Sequence, residues 1–349
     1  MPHAPQILSV PRSEDPAQID RVKAALGRVG QLIADANVDA IVLISNDHAD
    51  NFGTHCVPPF YVHCGTNFSD NNTLTDFAWP LLGDGAQELV ADLYDTGFDP
   101  AHGHDVSLGS YFSIPLQFLD LPKPIPVLPI LINCYIPPQP TMQRCAAFGE
   151  ALRNALGRTG KKVAVIASGG LSHYPGTARY TDPGPDLEFD RALFESVKRF
   201  GPGIVTGLGG TDIEVAGNIE LRSWAMLAGM VDRTELAFTM FEENWHHTYA
   251  LACWKGLGHR FDALDDRPYY GAIPAGAAAT NRALFALRNS PAQRALCASD
   301  PQRFAADFGL SNDVIQAIVA HEADRLRDEF GGHPLLSSGA IRALQGAKY

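Results

Sequence analysis

Two stretches of this 349-residue chain end in the same way. Val38-Asp-Ala-Ile-Val-Leu-Ile-Ser-Asn-Asp-His48 and Val163-Ala-Val-Ile-Ala-Ser-Gly-Gly-Leu-Ser-His173 each run apolar, turn polar and deliver a histidine. An imidazole can exchange protons near neutral pH or ligate a metal through either ring nitrogen. Glu220 is a third candidate. It lies four residues before Trp224 in Asn218–Met230, a segment with few charges where a carboxylate is costly unless paired or bound to a cation. On this segment alone, a pairing with Arg222 or a first-turn charge favoured by the helix dipole serves equally well. Two or three histidines and a glutamate gathered at one site would form a two-histidine, one-carboxylate facial triad, an open-sided arrangement that suits non-haem Fe(II).

Such a site needs elements that bring distant residues together. The two apolar runs suit strands buried on both faces of a sheet, and Gly169-Gly170 lets the backbone turn sharply at the end of the second. If both strands belong to one parallel sheet, their carboxyl ends share an edge, which is where α/β folds bind ligands. The apolar spacing of Ile19, Val22, Leu26, Val29 and Ile33 predicts a helix from Asp15 to Ala36. Further helices are expected over Ala86–Asp95, Thr141–Leu156, 187–200 and Asn218–Met230, with a strand over Pro126–Asn133. This alternation through residue 230 predicts an α/β fold with a mostly parallel central sheet flanked by helices. Residues 49–80 lack periodicity and are expected to form part of a substrate mouth or lid. Beyond residue 262, Pro274 and the Ala/Gly run 275–278 read as a link to a small all-α module, with helices over 279–289, 300–308 and 312–329.

Composition excludes other classes. A formal net charge of -12 argues against a nucleic-acid or anionic-membrane surface, which leaves small molecules as the expected partners. There is no apolar run of eighteen residues and no charged-then-apolar leader, so a cytoplasmic protein without a membrane span is expected. The six cysteines, at 56, 64, 134, 145, 253 and 297, contain no C-x-x-C pair and fit reduced thiols. The spacing of His55, Cys56, His63 and Cys64 matches no closed zinc pattern, and His102-Gly-His104 suits a solvated turn better than a chelate. A nucleophile elbow fails because Gly170-Leu-Ser172-His-Tyr174 lacks the second glycine, and no phosphate-binding glycine motif is present. His3, between prolines near the terminus, reads on its own as a frayed and solvated residue.

The blocks Asn46-Asp-His48-Ala and Ser168-Gly-Gly-Leu-Ser-His173, the pair Glu220 and Trp224, and Pro115-Leu116 together resemble the class III extradiol ring-cleavage dioxygenases. The likeness is to the catalytic β-subunit of protocatechuate 4,5-dioxygenase and to gallate dioxygenase. The tail resembles the small α-subunit of the former, fused behind. The resemblance implies a catalytic domain over 1–262 and a helical domain over 263–349 that covers the active site. It implies Fe(2+) held by His3, His48 and Glu220, and His173 as an acid/base that does not ligate the metal. It also implies O2 and a small protocatechuate- or gallate-like aromatic as partners, and a homo-oligomer, most simply a dimer. Little chain precedes His3 where the family has a strand, so a weakly anchored His3 is expected. Ahead of Pro115 the family's Asp-His-Gly is replaced by Leu108-Gly-Ser-Tyr-Phe-Ser-Ile. Ser110 or Tyr111 would then supply the hydrogen bond of the missing histidine, with Asn133 and Ser172 as further substrate contacts. The same departure admits an aminophenol or dihydroxypyridine as substrate, and the short start admits a non-catalytic metal-binding relative.

Overall fold

The computed structural model describes residues 1–66, 68, 77–173, 184–231, 234–256 and 273–346. The chain divides into two compact units, Met1–Arg267 and Pro268–Tyr349. The expected boundary at 262/263 lies outside the described residues.

In the first unit a short α1 (Gln6–Ser9) precedes α2 (Pro16–Ala36). Asp15 caps α2 by accepting from the Ala17 amide at 3.0 Å, Pro16 begins it, and Asn37 in the left-handed region ends it. Strands β1 (Ala40–Asn46) and β2 (Phe60–His63) follow, then α3 (Asp84–Asp95), β3 (Ala101–Gly103), α4 (Ser110–Gln117), β4 (Val127–Ile132), α5 (Met142–Arg158) and β5 (Val163–Ala167). Next come α6 (Leu187–Phe200), α7 (Gly210–Val215), α8 (Leu221–Met230) and the strands β6 (Thr234–Glu243) and β7 (Thr248–Gly256).

The five-stranded sheet has the order β3-β2-β4-β1-β5. β1 pairs in parallel with both β4 and β5, whereas β2 runs antiparallel to β4. Alternate residues of the sheet feed two cores. Val42, Ile44, Ile130 and Ile132 pack with Phe148, Leu152 and Met226, while Ile41, Leu43 and Leu131 pack with Ile19, Leu26, Phe112 and Leu251. Each fully buried Leu or Ile contributes about 1.5–3 kcal/mol relative to exposure.

Two features were not read from the sequence. β5 packs against both cores as expected, with Val163, Val165 and Ala167 on one face and Ala164 and Ile166 on the other, but it pairs only with β1 at the edge of the sheet, and Val163, Ala164 and Val165 are half-buried. An apolar run of five cannot separate an edge strand from a central one, a role that β1 and β4 fill. Between residue 230 and the helical module, where the sequence pattern suggested no element, β6 and β7 form an antiparallel hairpin.

Helices α5 and α8 approach closely on one face of the sheet. A Cβ at Gly149 would lie 2.0 Å from the Met226 carbonyl oxygen, and one at Gly229 would lie 1.8 Å from that of Ala146. Only glycine permits this backbone contact at the two positions.

The second unit contains α9 (Ala278–Asn289), α10 (Pro291–Ser299), α11 (Pro301–Phe308), α12 (Asn312–Val319), α13 (Ala323–Asp328) and α14 (Pro334–Leu344) around Leu284, Phe304, Ile315, Ile318 and Ile341. The single helix expected over 312–329 is two, because His321 takes φ 62° between them. No helix among the described residues is long and apolar enough to cross a membrane.

Candidate metal centre and active site

The carboxyl ends of β1 and β5 do share an edge of the sheet, and each delivers its histidine there. His48 follows β1, and His173 lies beyond the Gly169-Gly170 turn after β5. Glu220 comes from the opposite direction, at the N-cap of α8 rather than within the helix body. Its side chain is 1 % exposed. The Nε2 atoms of His48, His3 and His173 lie 3.3, 3.6 and 3.9 Å from the same oxygen, Glu220 Oε1. One ligand atom from each of His3, His48 and Glu220 falls within a group spanning at most 4.8 Å.

The expectation of a loosely held His3 does not survive. The Gly169 amide donates to the Met1 carbonyl at 3.0 Å and the Met1 amine donates to the Ala167 carbonyl at 2.7 Å, so the first residues lie along the end of β5. His3 Nδ1 lies 2.9 Å from Ser168 Oγ, and that hydroxyl donates to the Met1 carbonyl at 3.5 Å. With the hydroxyl proton so directed, Nδ1–H of His3 donates to Ser168 and Nε2 keeps a bare lone pair facing Glu220. His3 is 7 % exposed.

The carboxylate is held just as firmly. Tyr135 Oη donates to Oε1 at 2.6 Å, Asn46 Nδ2 donates to the same oxygen at 3.0 Å, and the Gly170 amide donates to Oε2 at 2.7 Å. Burial alone would push the Glu220 carboxyl up, but the imidazoles of His3, His48 and His173 outweigh it and hold the group well below the usual range. Burial pushes the His3 imidazole down against the pull of Glu220, which keeps it neutral and able to ligate. For His48, burial is outweighed by Glu220, and the imidazole is raised.

Two neutral-capable imidazoles and one ionised carboxylate, converging from three elements with one side open to His173, form a donor set that fits a divalent transition metal. His173 is oriented separately: its Nδ1 lies 2.9 Å from the Leu171 carbonyl, so Nδ1 carries the proton and Nε2 presents an acceptor toward Glu220.

The other sequence candidates take varied positions. Tyr111 is buried; its ring lies 4.8 Å from that of His48 and its hydroxyl donates to Asp47 Oδ1 at 3.3 Å. Burial, reinforced by Asp47, raises its phenol. Ser110 opens α4 and is half-buried. Asn133 holds the turn after β4, accepting from the Ile136 amide at 2.9 Å. Ser172 is fully buried; its hydroxyl donates to Asp190 Oδ2 at 2.6 Å and accepts from the Asp186 amide at 2.7 Å. Among the described residues, His55, Cys56, His63, Cys64, His102 and His104 gather no group of three ligands, and the six cysteines are unbridged. Of the expected mouth or lid over 49–80, residues 60–63 are strand β2, while 67 and 69–76 lie outside the described residues.

Reading the sequence missed Tyr135 as the closest donor to Glu220. A signal existed: Tyr135 stands just beyond the carboxyl end of β4, the same kind of position that singled out His48 and His173.

Residues 1–252 match the family described as the catalytic LigB subunit of aromatic ring-opening dioxygenase, and the chain belongs to that family. Among curated proteins it is similar to the 2,3-dihydroxyphenylpropionate/2,3-dihydroxicinnamic acid 1,2-dioxygenase of Klebsiella pneumoniae (strain ATCC 700721 / MGH 78578), at 32 % identity over 171 residues, which is 45 % of this chain and 52 % of that one. The enzyme of the same name from Photorhabdus laumondii is 30 % identical over 169 residues, covering 48 % and 53 %. The chain thus spans about half the length of the curated relatives it matches.

Proposed function

We propose that this chain is a non-haem Fe(II)-dependent extradiol dioxygenase that inserts both atoms of O2 into the ring of a catechol-type aromatic. In this reading His3, His48 and Glu220 hold the iron and His173 moves protons. The observation that carries it is the convergence of His3, His48 and His173 Nε2 within 3.3–3.9 Å of one ionised carboxylate oxygen. The names of the curated relatives favour a catechol bearing a carboxylated substituent, a class that includes 2,3-dihydroxyphenylpropionate, protocatechuate and gallate. A cytoplasmic homodimer is the proposed setting, with the helical unit acting in substrate choice.

Fe(II) bound there supplies Lewis acidity toward a vicinal diol and the redox capacity for reaction with O2. The chain's own groups do the rest. The bare Nε2 of His173 accepts a proton from a ring hydroxyl as the diol binds and returns it as the ring opens. Tyr135, Asn46 and the Gly170 amide keep Glu220 from rotating, and Ser168 keeps His3 Nε2 turned inward. The test is oxygen consumption by anaerobically iron-loaded protein with 2,3-dihydroxyphenylpropionate, protocatechuate, gallate, catechol, 2-aminophenol and dihydroxypyridines, with absorbance followed for a ring-opened product. Stoichiometric uptake with a new chromophore is expected. Iron-loaded protein silent across the panel would overturn the reading.

A further inference from the structure

A second set of titratable side chains adjoins the site, and neither the mechanism above nor the sequence motifs use it. The turn between β6 and β7 carries His246 and His247, which meet Glu14 from the segment ahead of α2. His246 Nε2 lies 2.7 Å from Glu14 Oε1. The carboxylate is fixed from its other side by Asn244, whose Nδ2 donates to Oε2 at 2.8 Å. The two histidines touch through their Nδ1 atoms, and His247 Nε2 is buried without a hydrogen-bond partner.

These contacts dictate the tautomers. A carboxylate only accepts, so His246 Nε2 carries a proton and donates it to Glu14. In the neutral ring His246 Nδ1 is then an acceptor, and His247 Nδ1–H donates to it. His247 Nε2 is left with a bare lone pair. A buried acceptor without a partner destabilises the fold, and a bound donor removes that cost.

A chain of neighbouring residues links His247 to the candidate active site. Thr248, the next residue, lies beside the Asp190 carboxylate. Asp190 in turn accepts from the Ser172 amide and hydroxyl and from Asn218 Nδ2, and Ser172 immediately precedes His173. His173, Glu220 and His3 all act electrostatically on the His247 ring. Burial, joined by His246, pushes His247 well down, so it stays neutral and keeps the lone pair.

We propose that His247 Nε2 is a second acid/base of the active site, accepting a hydrogen bond from a hydroxyl or amino hydrogen of the bound aromatic, with Glu14 and His246 as its positioning pair. It supplies an imidazole to a site whose Leu108–Pro115 segment lacks one. A proton taken at Nε2 is matched by transfer of the Nδ1 proton to His246 and of the His246 Nε2 proton to Glu14; no bond beyond these N–H and O–H bonds changes and no oxidant is required. A bare lone pair does not bind a carboxylate, so the inference concerns the ring hydroxyls or an amine in their place, not a carboxylated substituent. It rests on the dioxygenase reading.

The test uses iron-loaded full-length protein, anaerobic, with 4-nitrocatechol, whose absorption reports how far its hydroxyls are ionised. Wild type is expected to bind the probe in ionised form. His247→Ala should bind it with affinity within a few-fold but with a less ionised spectrum, and kcat toward the best catechol should fall about 100-fold, within the range of acid/base catalysis. Added imidazole should restore part of that loss. His247→Gln, which keeps the volume, should show the same spectral change, and Glu14→Gln a smaller one. A variant with unchanged spectrum and kcat would overturn the proposal, as would one that loses kcat while the spectrum stays unaltered and imidazole has no effect. Failure of the wild type to bind the probe would instead overturn the dioxygenase reading, and the proposal with it.

Discussion

Two regions of the molecule are rich in residues that bind metals, and they behave in opposite ways. His3, His48, His173 and Glu220 come from four places in the chain and converge on one carboxylate oxygen. His55, Cys56, His63, Cys64, His102 and His104 are closer together in sequence, yet no three of them bring their ligand atoms together. His63 is buried with neither ring nitrogen hydrogen-bonded, His102 Nδ1 meets the Tyr94 hydroxyl at 3.2 Å, and His104 Nε2 lies 2.8 Å from Gln87 Nε2. The difference is the buried carboxylate. Glu220 is ionised, and the groups around it are arranged to satisfy a charge. His63 has no such partner, and burial, aided by His104, lowers its imidazole to about 4. Donor density along a sequence is a poor guide to a site; a charge that the fold must satisfy is a better one.

The sharpest way to break this contrast is Glu220→Gln, which keeps the shape and removes the charge. Iron should no longer co-purify after anaerobic loading, and oxygen uptake should be lost; retained stoichiometric iron would show that the carboxylate is not what organises the site. His173→Ala comes next, with turnover reduced about 10²–10⁴-fold while metal analysis still finds iron bound. Tyr135→Phe removes only the 2.6 Å hydrogen bond to Glu220. Its expected effect is a loss of about 10–100-fold in metal affinity, measured by competition with a chelator.

The smallest effect belongs to the other region. His63→Leu should leave iron content and turnover unchanged and alter only the pH dependence of stability. The folded state holds His63 neutral down to about pH 4, whereas the unfolded chain protonates it near 6.5. The unfolded state therefore binds more protons between these values, and stability falls as pH drops through that window, by about 3 kcal/mol at most. Urea titrations from pH 7 to pH 4 should show His63→Leu losing less stability than wild type.

The sequence disclosed the site better than its supports. Two apolar runs ending in polar residues were enough to locate His48 and His173 on one sheet edge, because strand direction determines where such residues go. Glu220 was legible as a costly charge in an apolar segment, but its place at the N-cap of α8 was not, since the helix was expected to begin at Asn218 and begins at Leu221. His3 was illegible from local pattern. Its anchor is Ser168, 165 residues away, and only the family resemblance pointed to it. The hairpin β6–β7 was missed because its alternation is broken by an irregularity between Leu236 and Phe238. The split after α12 was missed because a histidine, not a glycine, occupies the left-handed position there.

The contact between α5 and α8 reaches further than packing. Gly149 and Gly229 let the two backbones touch, and Glu220 stands at the head of α8. Helix separation therefore acts as a gauge for the carboxylate: a methyl group at either glycine meets a backbone carbonyl oxygen at 2.0 Å or less, so α5 and α8 must part and the helix that carries Glu220 moves with them. Two residues with no chemistry of their own thus belong, in their effect, to the inventory of the metal centre.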